Sequence, residues 1–272
     1  MEITIPDNKK RIHPVLIFKQ AWALCWKNMG RLGSIYFIFN FPVCLAYFIP
    51  INKLQNQNLW MLVFYLFVSV ISFWGNIALL LGVNACLEKE NSSIKQIIYQ
   101  VRVFFFRYVA TVLITFLTLV LIILLGIISV NIVLKIFIPV NMALTAVLYL
   151  VVLAACSFCF VYFAIRWSLG SMVCVLESMR PIEALRHSLE LISDYATPVI
   201  GTYSLVFILS ILSIFMVIGA GNLSGVGPEQ VGWMDAVLSF ITNIVLAPLW
   251  TATAVILFKK LKEVSGNNVH AQ

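Results

Sequence analysis

The 272-residue chain is 62% hydrophobic and only 11% charged, with a mean hydropathy of +1.00. Soluble globular domains carry about 25% charged residues, so this composition excludes that class, and only 6 cysteines exclude a disulfide scaffold. The net charge of +7 comes from lysines and arginines at the edges of apolar runs. That distribution predicts contact with membrane lipids and no nucleic-acid partner.

Six apolar runs are long enough for helical spans, each of which needs about 20 residues. We therefore predict an all-α, polytopic membrane helical bundle with six transmembrane helices. The basic cluster at residues 9–11 is followed by Pro14 and a segment interrupted by lysines, so we expect no signal peptide. The six predicted spans are residues 32–50, 59–87, 106–130, 138–165, 198–220 and 236–258.

Lysine and arginine near the ends of spans set the orientation, because these residues are retained on the cytoplasmic side. All of them except Lys53 and Lys135 fall in segments that six spans place on one face. We predict a multi-pass protein with both termini cytoplasmic. The absence of a targeting segment favours a bacterial inner (plasma) membrane.

A short amphipathic segment precedes the first, third and fifth spans. Each carries four apolar residues with the same three-four-three spacing, which puts them on one stripe of a helix. We predict three cytoplasmic interfacial amphipathic helices. The stripes are Val15, Phe18, Trp22 and Cys25; Ile94, Ile97, Val101 and Phe104; and Ile182, Leu185, Leu189 and Ile192.

A shift of 88 residues lays Gly82 on Gly170 and Cys86 on Cys174. We interpret residues 1–272 as a single membrane domain with a three-fold internal repeat, each unit being an interfacial helix followed by a transmembrane hairpin. The alternative is independent origin, because membrane hairpins often have amphipathic flanks. The units are residues 14–88, 93–177 and 181–263, between short tails at 1–13 and 264–272.

The sequence predicts no catalytic residue, no cofactor and no metal site. None of the three histidines lies within an apolar span, and the HExxH motif is absent. Ser92 and Lys95 match SxxK without its partner motifs. Cys156 and Cys159 form a CxxC inside a span, without a second metal-binding pair. We therefore predict a protein that is not an enzyme.

Polar residues near or inside the spans are the remaining candidates for function. Arg166 is the deepest ionisable residue; we interpret Arg166 and Trp167 as an interfacial anchor, with substrate binding as the alternative. Glu183 with His187, and Arg186 with Glu190, have the i,i+4 spacing of helix pairs. Four asparagines are candidate interhelical hydrogen bonders: Asn40, Asn76, Asn84 and Asn243.

The segment around the end of the fourth span combines an Arg-Trp pair, a glutamate about ten residues later and a Pro-x-Glu-Ala-Leu-x-x-Ser helix. It resembles the bacterial glycerophosphoryl diester phosphodiesterase membrane-domain family and related six-span inner-membrane proteins. There the phosphodiesterase chemistry resides in a separate soluble barrel, so the resemblance implies a stand-alone membrane module without that activity. The residues that carry it are Arg166, Trp167, Glu177, Pro181, Glu183 and Ser188.

Two functions are preferred from the sequence, ahead of a third, a membrane-embedded enzyme that would use Arg166, Glu177 or His187. The first is a non-enzymatic membrane scaffold or anchor that contacts lipids, or a protein partner at the cytoplasmic face, through its amphipathic helices. The alternative is a small transporter or lipid-handling protein with a cavity between the repeats, lined by Arg166, Asn76 or Asn84.

Overall fold

Long apolar stretches satisfy their backbone hydrogen bonds within a helix, and helices account for almost all of the computed structural model. It describes residues 12–46, 58–90, 92–137, 142–193, 195–223 and 228–269. The described helices are α1 (Pro14–Lys27), α2 (Met29–Ala46), α3 (Asn58–Leu87), α4 (Ile94–Phe137), α5 (Met142–Trp167), α6 (Gly170–Leu176), α7 (Pro181–Ser193), α8 (Ala196–Leu223) and α9 (Pro228–Val269).

Five helical segments of the described part are long and apolar enough to cross a membrane: Leu66–Leu87, Ile94–Ile132, Thr145–Leu176, Ala196–Met216 and Val237–Ser265. They coincide with the second to sixth predicted spans, and the prediction of an all-α membrane protein is confirmed. The predicted first span falls in α2, and its last residues, 47–50, lie outside the described residues. So do residues 138–141 of the fourth span, residues 1–11 and residues 270–272.

The second predicted interfacial segment differs from expectation because it is continuous with a span. No glycine, proline, asparagine or aspartate interrupts residues 94–117, so nothing ends the helix there. The resulting α4 has 44 residues and is about 66 Å long at 1.5 Å per residue. In contrast, α1 ends before Asn28, which has non-helical φ and ψ angles of −113° and 20°.

The described residues within 1–105 and 197–272 form one compact unit. Within it α2 packs against α3, and α9 packs against α1, α2 and α3. Gly75 of α3 allows this approach, since a Cβ atom there would lie only 2.8 Å from Cβ of Phe39. The fully buried side chains include Leu32, Ile35, Ile77, Val83, Leu249 and Leu257.

Residues 106–196 form a second compact unit. Its short helices α6 and α7 pack together, and α5 also contacts α7. Gly170 lies directly against Leu185, whose Cδ2 would be 2.6 Å from a Cβ atom on the glycine. The apolar parts of α4 and α5 are far less covered: in the most apolar 18 residues of the segment Thr145–Leu176 none is buried.

Candidate functional site

Arg31, in the first turn of α2, binds the chain that follows the C-terminal end of α3. Its guanidinium donates to the main-chain carbonyl of Glu90 at 3.3 Å, to the main-chain carbonyl of Ser92 and to the Ser92 hydroxyl at 2.9 Å. It also forms a side-chain hydrogen bond with Cys86. We call these five groups the Arg31 junction. A guanidinium suits this place because the Glu90 and Ser92 carbonyls lie between α3 and α4, outside both helices, and its fork of donors can bind several oxygens at once.

An ion pair lies on the same turn of chain. The Nζ atom of Lys259 in α9 donates to Oε1 of Glu88 at 2.8 Å, with both side chains partly exposed. The hydrogen bond from Lys259 holds the pKa of Glu88 below its usual value. The pair fixes α9 to the end of α3, although solvent limits the energy of such an exposed pair to about 1 kcal/mol.

Arg107 makes a corresponding contact in the second compact unit. Its Nη1 atom donates to the main-chain carbonyl of Ser178 at 3.0 Å, and Ser178 lies 88 residues after Glu90. Cys174, 88 residues after Cys86, donates from Sγ to the Met179 carbonyl at 3.5 Å and forms a side-chain hydrogen bond with Thr111. We call Arg107, Cys174 and the Ser178 carbonyl the Arg107 junction.

Both junctions contain or adjoin a residue in the left-handed region of backbone conformation. Lys89 and Ser178 each have a φ of 56°, which a non-glycine residue adopts at some cost. The arginine therefore binds a carbonyl whose position is set by a tight reversal just after a helix. Neither arginine was among the sites predicted from the sequence, although a basic residue at the start of a span was the available signal.

Two residues of the family resemblance, Arg166 and Ser188, are in contact where α5 ends. The hydroxyl of Ser188, which is fully buried in α7, donates to the main-chain carbonyl of Arg166 at 2.6 Å. The Arg166 guanidinium carbon lies 4.5 Å from the ring centroid of Tyr162, and Trp167 packs on Phe163 with ring centroids 5.0 Å apart. Ser188 therefore supplies a donor to a carbonyl that α5 leaves without a helical partner.

Glu177 and His187 form a pair that the sequence reading missed. Nε2 of His187 lies 3.4 Å from Oε2 of Glu177, whose side chain is only 11% exposed, and Nδ1 lies 3.9 Å from Glu190. The sequence had suggested Glu183 as the partner of His187; Glu183 is instead an exposed residue in the first turn of α7. The other predicted pair, Arg186 with Glu190, is confirmed at 3.3 Å.

Pro181 and Glu183 occupy the positions that favour the start of a helix. Pro181 is the first residue of α7, where its missing N–H costs no hydrogen bond. Glu183 lies in the first turn, where its negative charge favours the positive end of the helix dipole. Both therefore have a local role in forming α7.

The four span asparagines are not grouped around a common centre within either unit. Asn40 donates to the Tyr36 carbonyl of its own helix at 3.1 Å, and Asn84 hydrogen-bonds to the side chain of Glu88 one turn away. The other two, Asn76 and Asn243, are exposed. The hydrogen bonds described for Asn40 and Asn84 thus stay within one helix or at its end, where the sequence had favoured bonds between helices.

The polar side chains at these junctions can hold parts of the main chain in place. In the described part of the chain no three histidine, cysteine or acidic side chains are grouped as a metal site. Burial raises the pKa of the Cys25 thiol to about 12, so this group stays neutral and weakly nucleophilic. The arginines and Ser188 instead act on main-chain carbonyls, which they hold at fixed places.

One edge of α1 exposes two tryptophans, one of which the sequence had placed in the predicted apolar stripe. Ile17, Ala21 and Cys25 are buried, whereas Trp22 and Trp26 are 43% and 70% exposed. The two indoles stack with centroids 6.5 Å apart and an interplanar angle of 7°. The predicted stripe of Val15, Phe18, Trp22 and Cys25 is therefore rotated relative to the buried face. Lys19 and Lys27 are exposed on the same helix.

These observations define an all-helical, multi-pass membrane protein. Arg31 and Arg107 bind main-chain carbonyls between its helices, and Ser188 of α7 binds the end of α5. The family described as "Domain of unknown function (DUF8558)" matches residues 50–259, and the chain belongs to this family. Comparisons with curated proteins and with solved structures found no match. The family match covers both junction turns and the whole Arg166–Ser188 segment.

Proposed function

We propose that the protein is a non-enzymatic scaffold or anchor of the bacterial inner membrane, which holds lipid or a protein partner on its cytoplasmic face. In this proposal the chain has six spans, with both termini cytoplasmic, and its short amphipathic helices lie at that face. The positions of lysine and arginine support the orientation. The resemblance to the phosphodiesterase membrane-domain family supports the localisation and a role without catalysis.

Three-fold repetition is part of the proposal, and contacts between each of the first two repeat units and the unit that follows it support it. A Cβ atom on Gly82 would lie 4.0 Å from Ile97, and the residues 88 positions later, Gly170 and Leu185, are also in contact. The carbonyls bound by Arg31 and Arg107 are separated by the same 88 residues. The two arginines themselves are 76 residues apart, so the support for duplication comes from the glycine contacts and the bound carbonyls, which independent flanking helices would have no reason to share.

The observation that carries the proposed function is the exposed edge of α1. One face of α1 is buried, with α9 as its main packing partner, and the adjacent edge presents the stacked Trp22 and Trp26 together with Lys19. Tryptophan is enriched at membrane–water interfaces, and lysine near the surface gains about 1 kcal/mol from anionic lipid. Packing on α9 therefore fixes an aromatic and basic edge at a set place, which suits binding of anionic lipid.

Lipid-dependent thermal stability tests this role, because a ligand that binds only the folded state raises its stability. We expect phosphatidylglycerol to stabilise the purified protein more than phosphatidylcholine does. The double substitution Trp22→Ser and Trp26→Ser should remove most of that difference, as should Lys19→Gln with Lys27→Gln. Leu16→Ser, at an exposed residue of the same helix, is the matched control and should keep it.

Equal stabilisation by both lipids in the native protein would contradict the lipid form of the proposal. The partner form is tested by native mass spectrometry after extraction into nanodiscs. A stoichiometric protein that is retained by the native chain and by Leu16→Ser, and lost from the double tryptophan variant, would support it. No retained partner together with no lipid preference would overturn both forms.

A lipid-handling role is the second candidate. The observation that favours it is an apolar groove between α4 and α5. This groove lies inside one predicted repeat, residues 93–177, and so differs from the cavity between repeats that the sequence suggested.

A further inference from the structure

A groove lies where α1, the end of α3 and α9 meet in the first compact unit. Helix α9 packs against both of the other helices, so the groove is formed by elements that are held together. Four residues between positions 20 and 27 of α1 form one wall, at the i, i+3, i+4, i+7 spacing of a single helix face. Four residues of α9 have the same spacing and form the second wall: Ile256, Lys259, Lys260 and Glu263.

The groove has an excess of positive charge. Its charged lining residues are three lysines and one glutamate: Lys27, Lys259, Lys260 and Glu263. Lys260 pairs with Glu263 at 2.7 Å, and Lys259 pairs at 2.8 Å with Glu88, just after α3. Three ammonium groups thus face two carboxylates, and Lys27 is exposed in the last turn of α1. The electrostatic complement of this arrangement is an anion.

The polarity of the groove changes along its length. Leu87 ends a segment that is apolar enough to cross a membrane, and it lines the groove together with the buried Ile256. Lys259 lies one turn beyond Ile256 and Glu263 lies two turns beyond, about 5 and 10 Å farther along α9. The groove is therefore apolar within the spans and charged at their ends.

This order of groups discriminates between two kinds of anionic occupant. A phospholipid has its acyl chains at one end and its phosphate at the other, in the order that the groove presents. An acidic amphipathic helix of a protein partner keeps its apolar groups along one side over its whole length, so it would place apolar groups against the lysines. A zwitterionic lipid has the right order of groups, but its cationic headgroup would lie among the ammonium groups. The lining therefore favours a lipid with a net negative charge.

We propose that the groove formed by α1, the end of α3 and α9 binds one anionic glycerophospholipid, with its phosphate at the three lysines and its acyl chains beginning over Leu87 and Ile256. The inference rests on the proposed lipid contact and assigns a discrete site to it. The tryptophan edge is a separate surface, because Lys27 and Trp22 lie about 140° apart around α1 at 3.6 residues per turn.

Native mass spectrometry of the full chain, taken from its membrane into detergent, tests this site. We expect one phosphatidylglycerol to remain on each purified chain, because the groove contacts both the charged and the apolar part of the molecule. After this lipid is removed by prolonged detergent washing, phosphatidylglycerol should rebind about tenfold more tightly than phosphatidylcholine with the same acyl chains. Since the groove lipid stays bound during purification, lipid added in the thermal-stability test reports on the more exposed α1 edge.

Two substitutions of opposite sign test the charge of the groove. Lys260→Gln should weaken the one-to-one phosphatidylglycerol complex about fivefold. Glu263→Gln should strengthen it, because it removes a carboxylate from the lining, and a variant that merely misfolds cannot gain affinity. Lys262→Gln is the matched control: it removes the same charge from an exposed position of α9 that does not line the groove. An equal loss of affinity with Lys260→Gln and Lys262→Gln would overturn the inference, because the lysines would then act as diffuse surface charge.

Ala23→Trp tests the shape of the groove without changing its charge. Ala23 is an exposed lining residue, and the large side chain should reduce phosphatidylglycerol binding about tenfold, as expected when a site is filled. Trp22→Ser with Trp26→Ser should leave the groove lipid in place. A complex that survives Ala23→Trp but is lost from the double tryptophan variant would overturn the groove and leave the α1 edge as the lipid site. An acidic protein that is retained in place of lipid, and lost with Ala23→Trp, would also overturn it.

Discussion

Ser188 and Arg166 illustrate how a sequence signature acquires a physical role. The sequence singled out both residues, and the resemblance linked them to one family. Their contact is between a side-chain hydroxyl and a main-chain carbonyl, so it depends on the arrangement of α5 and α7 and has no signal in residue spacing. The identities were thus predictable, and the interaction was not.

The Glu177–His187 pair was missed for a related reason. Helical spacing favoured Glu183 as the partner because it is four residues before His187. That rule holds only inside one helix, whereas Glu177 ends α6 and His187 belongs to α7, beyond the left-handed turn at Ser178. A backbone reversal brings the two together, and sequence periodicity contains no information about it.

Arg31 should contribute measurably to the stability of the protein. Replacement by glutamine removes the charge-assisted hydrogen bonds to Glu90 and Ser92, each of which is worth about 1.5–3 kcal/mol when well shielded. Because the site is partly exposed, we expect Arg31→Gln to lower the free energy of unfolding in mixed micelles by about 2 kcal/mol in total. Arg102→Gln is the matched control at an exposed arginine and should change it by less than about 0.5 kcal/mol. An equal effect of both substitutions would contradict a specific role of the Arg31 junction.

At the scale of helices, close packing depends on individual glycines. Gly75 allows α3 to approach α2 at Phe39, where a methyl group would collide with a side-chain atom that cannot rotate away. Gly30 in α2 has no atom within 4 Å of the equivalent position. At Gly75 a side chain is excluded by packing, whereas at Gly30 the only effect of glycine is its poor helix propensity.

We expect Gly75→Ala to destabilise the protein by about 1–3 kcal/mol through overpacking. Gly30→Ala should be neutral or stabilise it by up to about 1 kcal/mol, because alanine is the better helix former. The thermal midpoints of both variants in the same detergent decide between these outcomes. A stabilised Gly75→Ala would show that α2 and α3 have room to separate.

Helix α1 shows where periodicity is insufficient. Its sequence has apolar residues on more than one side, so a stripe can be drawn through Trp22 or through Ile17 with similar spacing. Packing against α9 buries Ile17 and Ala21. The partner of a helix selects which apolar side is covered, and that partner is more than 200 residues away in the chain.

For the whole molecule, composition determined the fold class because an apolar chain in lipid must satisfy its backbone polar groups within helices. The second to sixth predicted spans matched candidate spanning helices for the same reason. The division into two compact units had no counterpart in the sequence, because it depends on which helices share side-chain contacts.

Reporter fusions test the predicted orientation. Fusion after residue 140 should give active alkaline phosphatase, which folds only outside the cytoplasm, and fusion after Gln272 should give fluorescent green fluorescent protein. The lysine and arginine distribution is the physical basis of this expectation. Phosphatase activity at the C-terminal fusion would imply an odd number of spans and would exclude the six-span arrangement.

The contacts of the Arg31 junction can form only after both partners have been synthesised. Arg31 and Ser92 are separated by 61 positions, so at about 5–20 residues per second the acceptor follows the arginine out of the ribosome by about 3–12 s. Arg107 and its acceptor Ser178 are separated by 71 positions, so a similar delay applies to the second junction. In both cases the arginine binds a residue that follows a helix synthesised after it, so the contact forms only once that helix is complete. Protease pulses on stalled nascent chains would record closure as a gain of resistance once Ser92 has emerged.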